Sequence, residues 1–124
     1  MVATLAPDGS PHTAPFGSLR AVTPRSLRLI CFRLHDTYTN LCRDERVIVA
    51  VLAPPNVAVS IRGRARVIKE RMDSAEDFAI VTIDIEEVKN DMIRLGAIKS
   101  PITFSPTDDA INWFSDMLGE LENM

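Results

Sequence analysis

Residues 27–44, LRLICFRLHDTYTNLCRD, carry the reading of the fold. The stretch opens as a strand: Leu27, Leu29, Ile30, Cys31 and Phe32 are apolar, with Arg28 and Arg33 interrupting them. From His35 the pattern changes. His35, Asp36, Thr37, Tyr38 and Thr39 form a polar cluster, and 40–43 reads as a short helical turn capped by Asp36 or Thr37. A strand feeding a helix start dense in hydroxyls, with an arginine and a histidine beside it, is a seat for a phosphate. Free amides and the positive end of the helix dipole favour an anion there. The same residues also make an ordinary capped turn.

Working outward toward the C-terminus, 47–53 (VIVAVLA) is almost wholly apolar, the pattern of a strand buried on both sides. Residues 57–69 alternate: Val57, Val59, Ile61, Gly63, Ala65 and Val67 on one face, Ala58, Ser60, Arg62, Arg64 and Arg66 on the other. After a polar loop at 70–77, residues 79–88 alternate again, with Val81, Ile83 and Ile85 opposed to Thr82, Asp84 and Glu86. Paired antiparallel, these strands set Arg64 against Asp84 and Arg62 against Glu86. Opposite charges across a ladder are worth roughly 0.2–1 kcal/mol per pair. The arginine stripe is therefore predicted to be structural, and a nucleic-acid surface is disfavoured because the acids neutralise it.

Toward the N-terminus, 2–6 reads as a strand and Asp8-Gly9 as a hairpin turn. The return strand, 12–22, contains Pro15 and Gly17, unusual inside a central strand. A bulge or an edge strand explains both, and so does a flat ligand lying against the main chain. Residues 23–26 turn into the strand at Leu27.

Beyond residue 90, Ile102–Phe104 reads as a short strand, and Ser105, Pro106 and the acids after them as a helix start. Ala110, Ile111, Phe114, Met117, Leu118 and Leu121 then follow at helical spacing. Trp113 sits at the edge of that face, suited to core packing, a partner subunit or a ring-shaped ligand. Six or seven short strands and one closing helix argue for a small barrel or sandwich.

Composition bounds the rest. At 124 residues, 46% hydrophobic and 25% charged, the chain suits one globular domain, 1–124, with the barrel at about 1–104 and the helix at about 106–122. No apolar run approaches the ~20 residues that span a bilayer. The start lacks the basic and apolar regions of a signal peptide. With two cysteines, Cys31 and Cys42, expected reduced, the expected compartment is the cytoplasm. Residues 1–72 hold 11 Lys/Arg against 5 Asp/Glu, and 73–124 hold 3 against 12. The first part suits an anionic ligand or pairing with the second. There is no Walker loop, no G-x-G-x-x-G and no G-x-S-x-G. His12 and His35 are the only histidines, and no metal-ligand spacing surrounds them.

The order of motifs, "ATLAPDGSPHTAPFG", then "RLHDTYTNLCRD", "VIVAVL" and "VAVSIRGRARVIKE", resembles the pyridoxamine 5′-phosphate oxidase-like family of FMN-binding split barrels. The resemblance covers about 2–72 and continues in 79–88 as a further strand. It implies a mainly β, six-stranded antiparallel split barrel with a C-terminal helix, forming a homodimer with two FMN sites at the interface. The flavin ring would lie along Ala14, Pro15, Phe16, Gly17 and Ser18. The phosphate would be held by Arg33, His35, Thr37 and Thr39, with Tyr38 and Asn40 alongside. Asn40-Leu41 matches the family's frequent Asn-Leu, whereas Thr37 stands where many members carry lysine. The sequence opens directly on the first strand, without the family's usual N-terminal helix; with Thr37, this departs from the pattern of the oxidase itself, so the expectation is FMN binding and not that enzyme's own reaction. A flavin-dependent oxidoreductase of unknown substrate is the leading expectation. A barrel holding a deazaflavin or a haem (axial ligand His12 or His35) and a flavin-binding dimer without turnover are the alternatives. His35 and Tyr38 are the candidate acid–base groups by chemistry.

Overall fold

Asp8-Gly9 turns the chain as its sequence predicts: Gly9 takes φ +84°, the left-handed region that glycine enters without a side-chain penalty. Its N–H donates to Ala6 O at 2.9 Å, and Ala6 N donates to Ser10 O at 2.8 Å. The hairpin joins β1 (Val2–Leu5) to β2 (Pro11–Ala14). The computed structural model describes residues 1–100 and 107–124. Among these, the remaining elements are β3 (Arg20–Thr23), β4 (Ser26–Phe32), α1 (Asp36–Arg43), β5 (Arg46–Ala53), β6 (Val57–Lys69), β7 (Phe78–Asn90) and α2 (Ile111–Glu122).

All strand pairs are antiparallel, in the order β2-β1-β5-β6-β7-β4-β3. Val2 on β1 and Leu27, Leu29 and Cys31 on β4 share one core cluster with Val47, Val49, Ala65, Val81 and Ile83. β1 and β4 stand four places apart in the sheet, yet both meet α1 and share one core, because the sheet curls on itself. It is therefore a split barrel. The seam lies between its edges, β2 and β3, where residues 15–19 cross and lay Phe16 and Leu19 against the core.

There are seven strands among the described residues where the resemblance implied six. The strand read across 12–22 is two, because Pro15 and Gly17 interrupt it: β2 stops at Ala14 and β3 starts at Arg20. Proline cannot donate to a ladder and glycine has no side chain to pack, so the pairing lapses where they stand.

Strand β5 departs from expectation too. Val47 and Val49 are buried, but Ile48 is 45% and Leu52 54% exposed, so one face of an all-apolar strand lies open in the single chain. The β6–β7 pairing carries Arg64 opposite Asp84 as read, while Arg62 stands opposite Glu87 instead of Glu86. A register shift between Arg62 and Gly63 accounts for the slip. At that bulge the strands approach so closely that a Cβ on Gly63 would lie 2.5 Å from Asp84 O and 2.7 Å from Ile83 Cγ2.

A second cluster, Ile30, Met72, Ile80, Met117 and Leu121, lies between α2 and the outer face of β4 and β7. The helix starts at Ile111, later than the 106 read from sequence, after a turn in which Ala110 N donates to Thr107 O at 2.9 Å. Its N-cap, Ala110, has no polar side chain to offer. The Ile102–Phe104 strand and the Ser105-Pro106 cap lie outside the described residues. Trp113 packs edge-on against Phe78 at 5.3 Å, and Phe78 meets Phe32 at 5.1 Å, so core packing is part of its role. At the far end Arg28 donates to Leu121 O at 3.2 Å and Met124 O at 2.9 Å, satisfying carbonyls that a helix C-terminus leaves free.

Candidate cofactor site

Where β4 ends, the chain turns sharply: His35 N donates to Phe32 O at 3.0 Å. His35 itself is the N-cap of α1, in place of Asp36 or Thr37. Its Nδ1 accepts from Thr37 N at 3.1 Å, and its carbonyl accepts from the Tyr38 and Thr39 amides at 3.1 and 3.3 Å. A histidine with extended backbone (φ −80°, ψ 146°) serves the first turn as an Asx cap does. These three amides are thus already bonded within the turn. An anion seated here must rely chiefly on side chains.

The seam brings the predicted ring-binding segment to this turn. Phe16 meets His35 at 6.2 Å, and His12 meets the other side of the cluster at 6.2 Å from the His35 ring. Pro15 and Gly17 are exposed, Phe16 is half-buried and Ala14 is buried. Ser18 is occupied by the fold: its Oγ accepts from Ile30 N at 2.9 Å and faces Ile30 O at 3.4 Å, replacing strand pairing beside the break. Asn40 is likewise committed, donating to Thr4 Oγ1 at 3.1 Å and accepting from Arg43 at 3.3 Å. Thr39 is exposed on α1.

Arg33 reaches toward the loop after β6. Its backbone N donates to Asp77 O at 3.0 Å, its Nη2 to Glu76 O at 2.8 Å, and the Asp77 carboxylate stands 3.7 Å away. Tyr38 is half-buried nearby. Burial pushes its phenol above the usual value, Cys42 and Glu70 push the same way, and Arg33 partly offsets them. Cys31, wholly buried, has its thiol pushed up to about 12 by burial and is inert, whereas Cys42 is exposed.

Among the described residues, four buried side-chain polar atoms have no hydrogen-bond partner: His12 Nδ1, Arg28 Nε, Arg33 Nε and Thr37 Oγ1. Three of them surround the His35 turn. Buried polar atoms are nearly always satisfied, so their grouping at one place fits a group that supplies acceptors and donors there. An FMN phosphate and ring edge have that chemistry, and these residues fit it. The sequence points to His12 as a haem ligand and not as a flavin contact, and it does not point to Glu76 or Asp77. The loop that carries those acids meets Arg33 across more than 40 residues, and no local pattern announces such a contact.

A cleft of about 550 Å³ opens at the other end of α1, lined by Cys42, Asp44, Arg64 and Arg66 among others, and includes none of the predicted site residues. Among the described residues there is no group of three or more His, Cys, Asp or Glu side chains that could hold a metal ion. No described helix is long and apolar enough to cross a membrane.

The curled antiparallel sheet, its seam at 15–19 and its outer helix define a split-barrel protein. The sequence profile of pyridoxamine 5′-phosphate oxidase matches residues 1–94, and the chain belongs to that family. It is similar to a candidate pyridoxamine 5′-phosphate oxidase from Lactobacillus delbrueckii, at 26% identity over 71% of this chain and 80% of that one, with a TM-score of 0.63. HupZ from Group A Streptococcus shares 18% identity over 81% and 88% of the two chains, with a TM-score of 0.63. An F420 reductase shares 18% over 72% and 86%, with a TM-score of 0.61. At those identities the last two likenesses concern the fold. No curated protein matches the sequence significantly.

Proposed function

We propose that this chain binds FMN at the barrel seam and acts as a cytoplasmic, homodimeric flavin-dependent oxidoreductase. The carrying observation is the set of unpartnered buried atoms, Arg33 Nε, Thr37 Oγ1 and His12 Nδ1, gathered where the family resemblance puts the phosphate and ring. Arg33 and Thr37 would hold the phosphate, and the exposed main chain at Pro15 and Gly17 would flank the ring. When bound, FMN supplies the electron transfer. The protein's part is to fix the phosphate, cover the ring beside Phe16 and His35, and set the charge around it. The open apolar face of β5 is what a second subunit would cover.

The absorption spectrum of freshly purified protein tests the ligand, followed by titration of stripped protein with FMN and with riboflavin. Bands of oxidised flavin and a preference for FMN support the reading. A Soret band lost in His12→Ala would move it to haem, for which the unpartnered His12 Nδ1 is the motive. A deazaflavin spectrum, or no binding of either flavin, overturns it. Replacing Arg33 by alanine removes a charge-assisted hydrogen bond, and should weaken FMN about 10- to 150-fold while leaving riboflavin little changed. Oxidation of reduced nicotinamide by the loaded protein separates an enzyme from a carrier.

A further inference from the structure

Glu120, on α2, sends its carboxylate into the loop between β6 and β7. It accepts from Asp73 N at 2.9 Å, from Ser74 N at 2.8 Å and from Ser74 Oγ at 2.7 Å, and it pairs with Lys69 Nζ at 3.0 Å. Its side chain is only 13% exposed. Four donors converge on one carboxylate that belongs to a different element from all of them. Two residues further along, the same loop presents Glu76 O and Asp77 to Arg33. Just beyond, at the first residue of β7, Phe78 is clasped between Phe32 and Trp113, so α2 meets the chain at a second point beside the loop.

We infer that Glu120 is a positioning residue for the anion-binding arginine: by bracing the 73–77 loop it fixes the Glu76 carbonyl, which aims the Arg33 guanidinium. The inference rests on the reading of Arg33 as the phosphate ligand. A guanidinium on a flexible stem has several rotamers, and only a fixed acceptor holds its Nε toward one place. Glu76 O is a backbone atom, so its position is that of the loop. The loop in turn has its 73 and 74 amides capped from α2. The C-terminal helix thereby acts on a site it does not touch, as outer partners of a binding residue commonly do.

Glu120→Gln keeps size and one acceptor but loses the charge and cannot accept all four donors. Two measurements read the outcome. In the flavin-free protein, the Arg33 Nε–H resonance, assigned by its loss in Arg33→Ala, should shift in Glu120→Gln. In titrations, FMN affinity should fall roughly 5-fold or more while riboflavin affinity holds, and the substitution should have no further effect on FMN in an Arg33→Ala background. An unmoved Arg33 resonance overturns the inference. So does an equal loss of FMN and riboflavin, or an FMN loss that persists without Arg33, since each marks Glu120 as merely structural. If Arg33→Ala leaves FMN binding unchanged, the phosphate reading fails instead, and the flavin-free spectrum alone decides whether Glu120 aims the arginine. Ser74→Ala, which removes one donor to the same carboxylate, repeats the test in the same direction should Glu120→Gln fail to fold.

Discussion

Arg64 stands opposite Asp84 in the β6–β7 ladder, yet its guanidinium passes Asp84 and binds Glu86 at 3.2 Å and Glu45 at 2.6 Å. Asp84 is taken by Arg66 at 3.1 Å, and Glu87 by Arg62 at 2.8 Å. The right-handed twist of the sheet carries Arg64 and Arg66 to their diagonal neighbours, while Arg62 meets the residue directly opposite. The excess of basic residues before 72 is thus largely answered by the acids after it. All these pairs are on the surface and about half exposed. Arg64→Ala is expected to lower the melting temperature by no more than a few degrees and to leave FMN affinity unchanged. A large loss of FMN at unchanged melting temperature would make Arg64 a ligand.

Gly63 is the residue that lets these strands close at the bulge. A methyl group there meets backbone, Asp84 O, which cannot swing aside. Gly63→Ala should cost about 1–3 kcal/mol through overpacking, read as a lower denaturation midpoint at constant slope. A neutral Gly63→Ala would mean that the strands part without cost.

Much of the fold is legible in the sequence because each cue acts locally. Asp8-Gly9 needs only its own backbone, and the alternation of 57–69 predicts β6 to the residue. The failures come from tertiary context. Arg62 slips to Glu87 because a bulge has no signature beyond one glycine. The apolar run at 47–53 looks doubly buried because sequence does not say whether a second chain covers the outer face. At the candidate site, the structure brings β4, α1 and the 14–18 segment together, while Ser18 and Asn40 bond within the fold. A hydroxyl or amide reads the same in sequence whether it meets a ligand or the strand beside it.

The cap at His35 was missed for a similar reason, since histidine is rarely read as a helix cap. His35→Ala removes the acceptor for Thr37 N and should cost about 0.5–2 kcal/mol, while His35→Asn should restore most of it. Equal losses in both variants would show that the ring's packing with His12 and Phe16 matters more than its cap.

Acid should loosen α2. Burial pushes the Glu120 carboxyl up, but hydrogen bonds from Ser74 and Asp73 and from Lys69 outweigh it and hold it at about 2. A carboxyl lower in the folded than in the unfolded state stabilises above its unfolded value, and that stabilisation is lost as pH falls. Roughly 1–3 kcal/mol should disappear between about pH 4.5 and pH 2. Melting curves of the parent and Glu120→Gln should therefore converge across that window. A gap that stays constant with pH would remove the charge from the account.

The last prediction concerns the open face of β5. Ile48, Ala50 and Leu52 point outward from one strand, and their outward neighbours across the ladders are Ala3 and Arg62 beside Ile48, Ser60 beside Ala50 and Ala58 beside Leu52. Small residues beside Ala50 and Leu52, with Arg62 drawn aside to Glu87 at the Ile48 edge, make an apolar patch with a charged rim that a second, identical strand face can cover, the self-complementary arrangement of a two-fold dimer. A solvent-facing strand would carry polar residues at these positions. Leu52→Glu places a charge in that contact and should raise the dimer dissociation constant at least about 10-fold, which light scattering across a dilution series measures directly. Ile111→Glu, equally exposed but on α2, should leave the mass unchanged. If the interface also completes the flavin site, FMN affinity should fall with dimer content in Leu52→Glu and recover at high protein concentration. A parent protein that is monomeric with FMN bound, or a Leu52→Glu variant that stays dimeric at every dilution, would put the interface elsewhere and return the bare face of β5 to an unexplained feature.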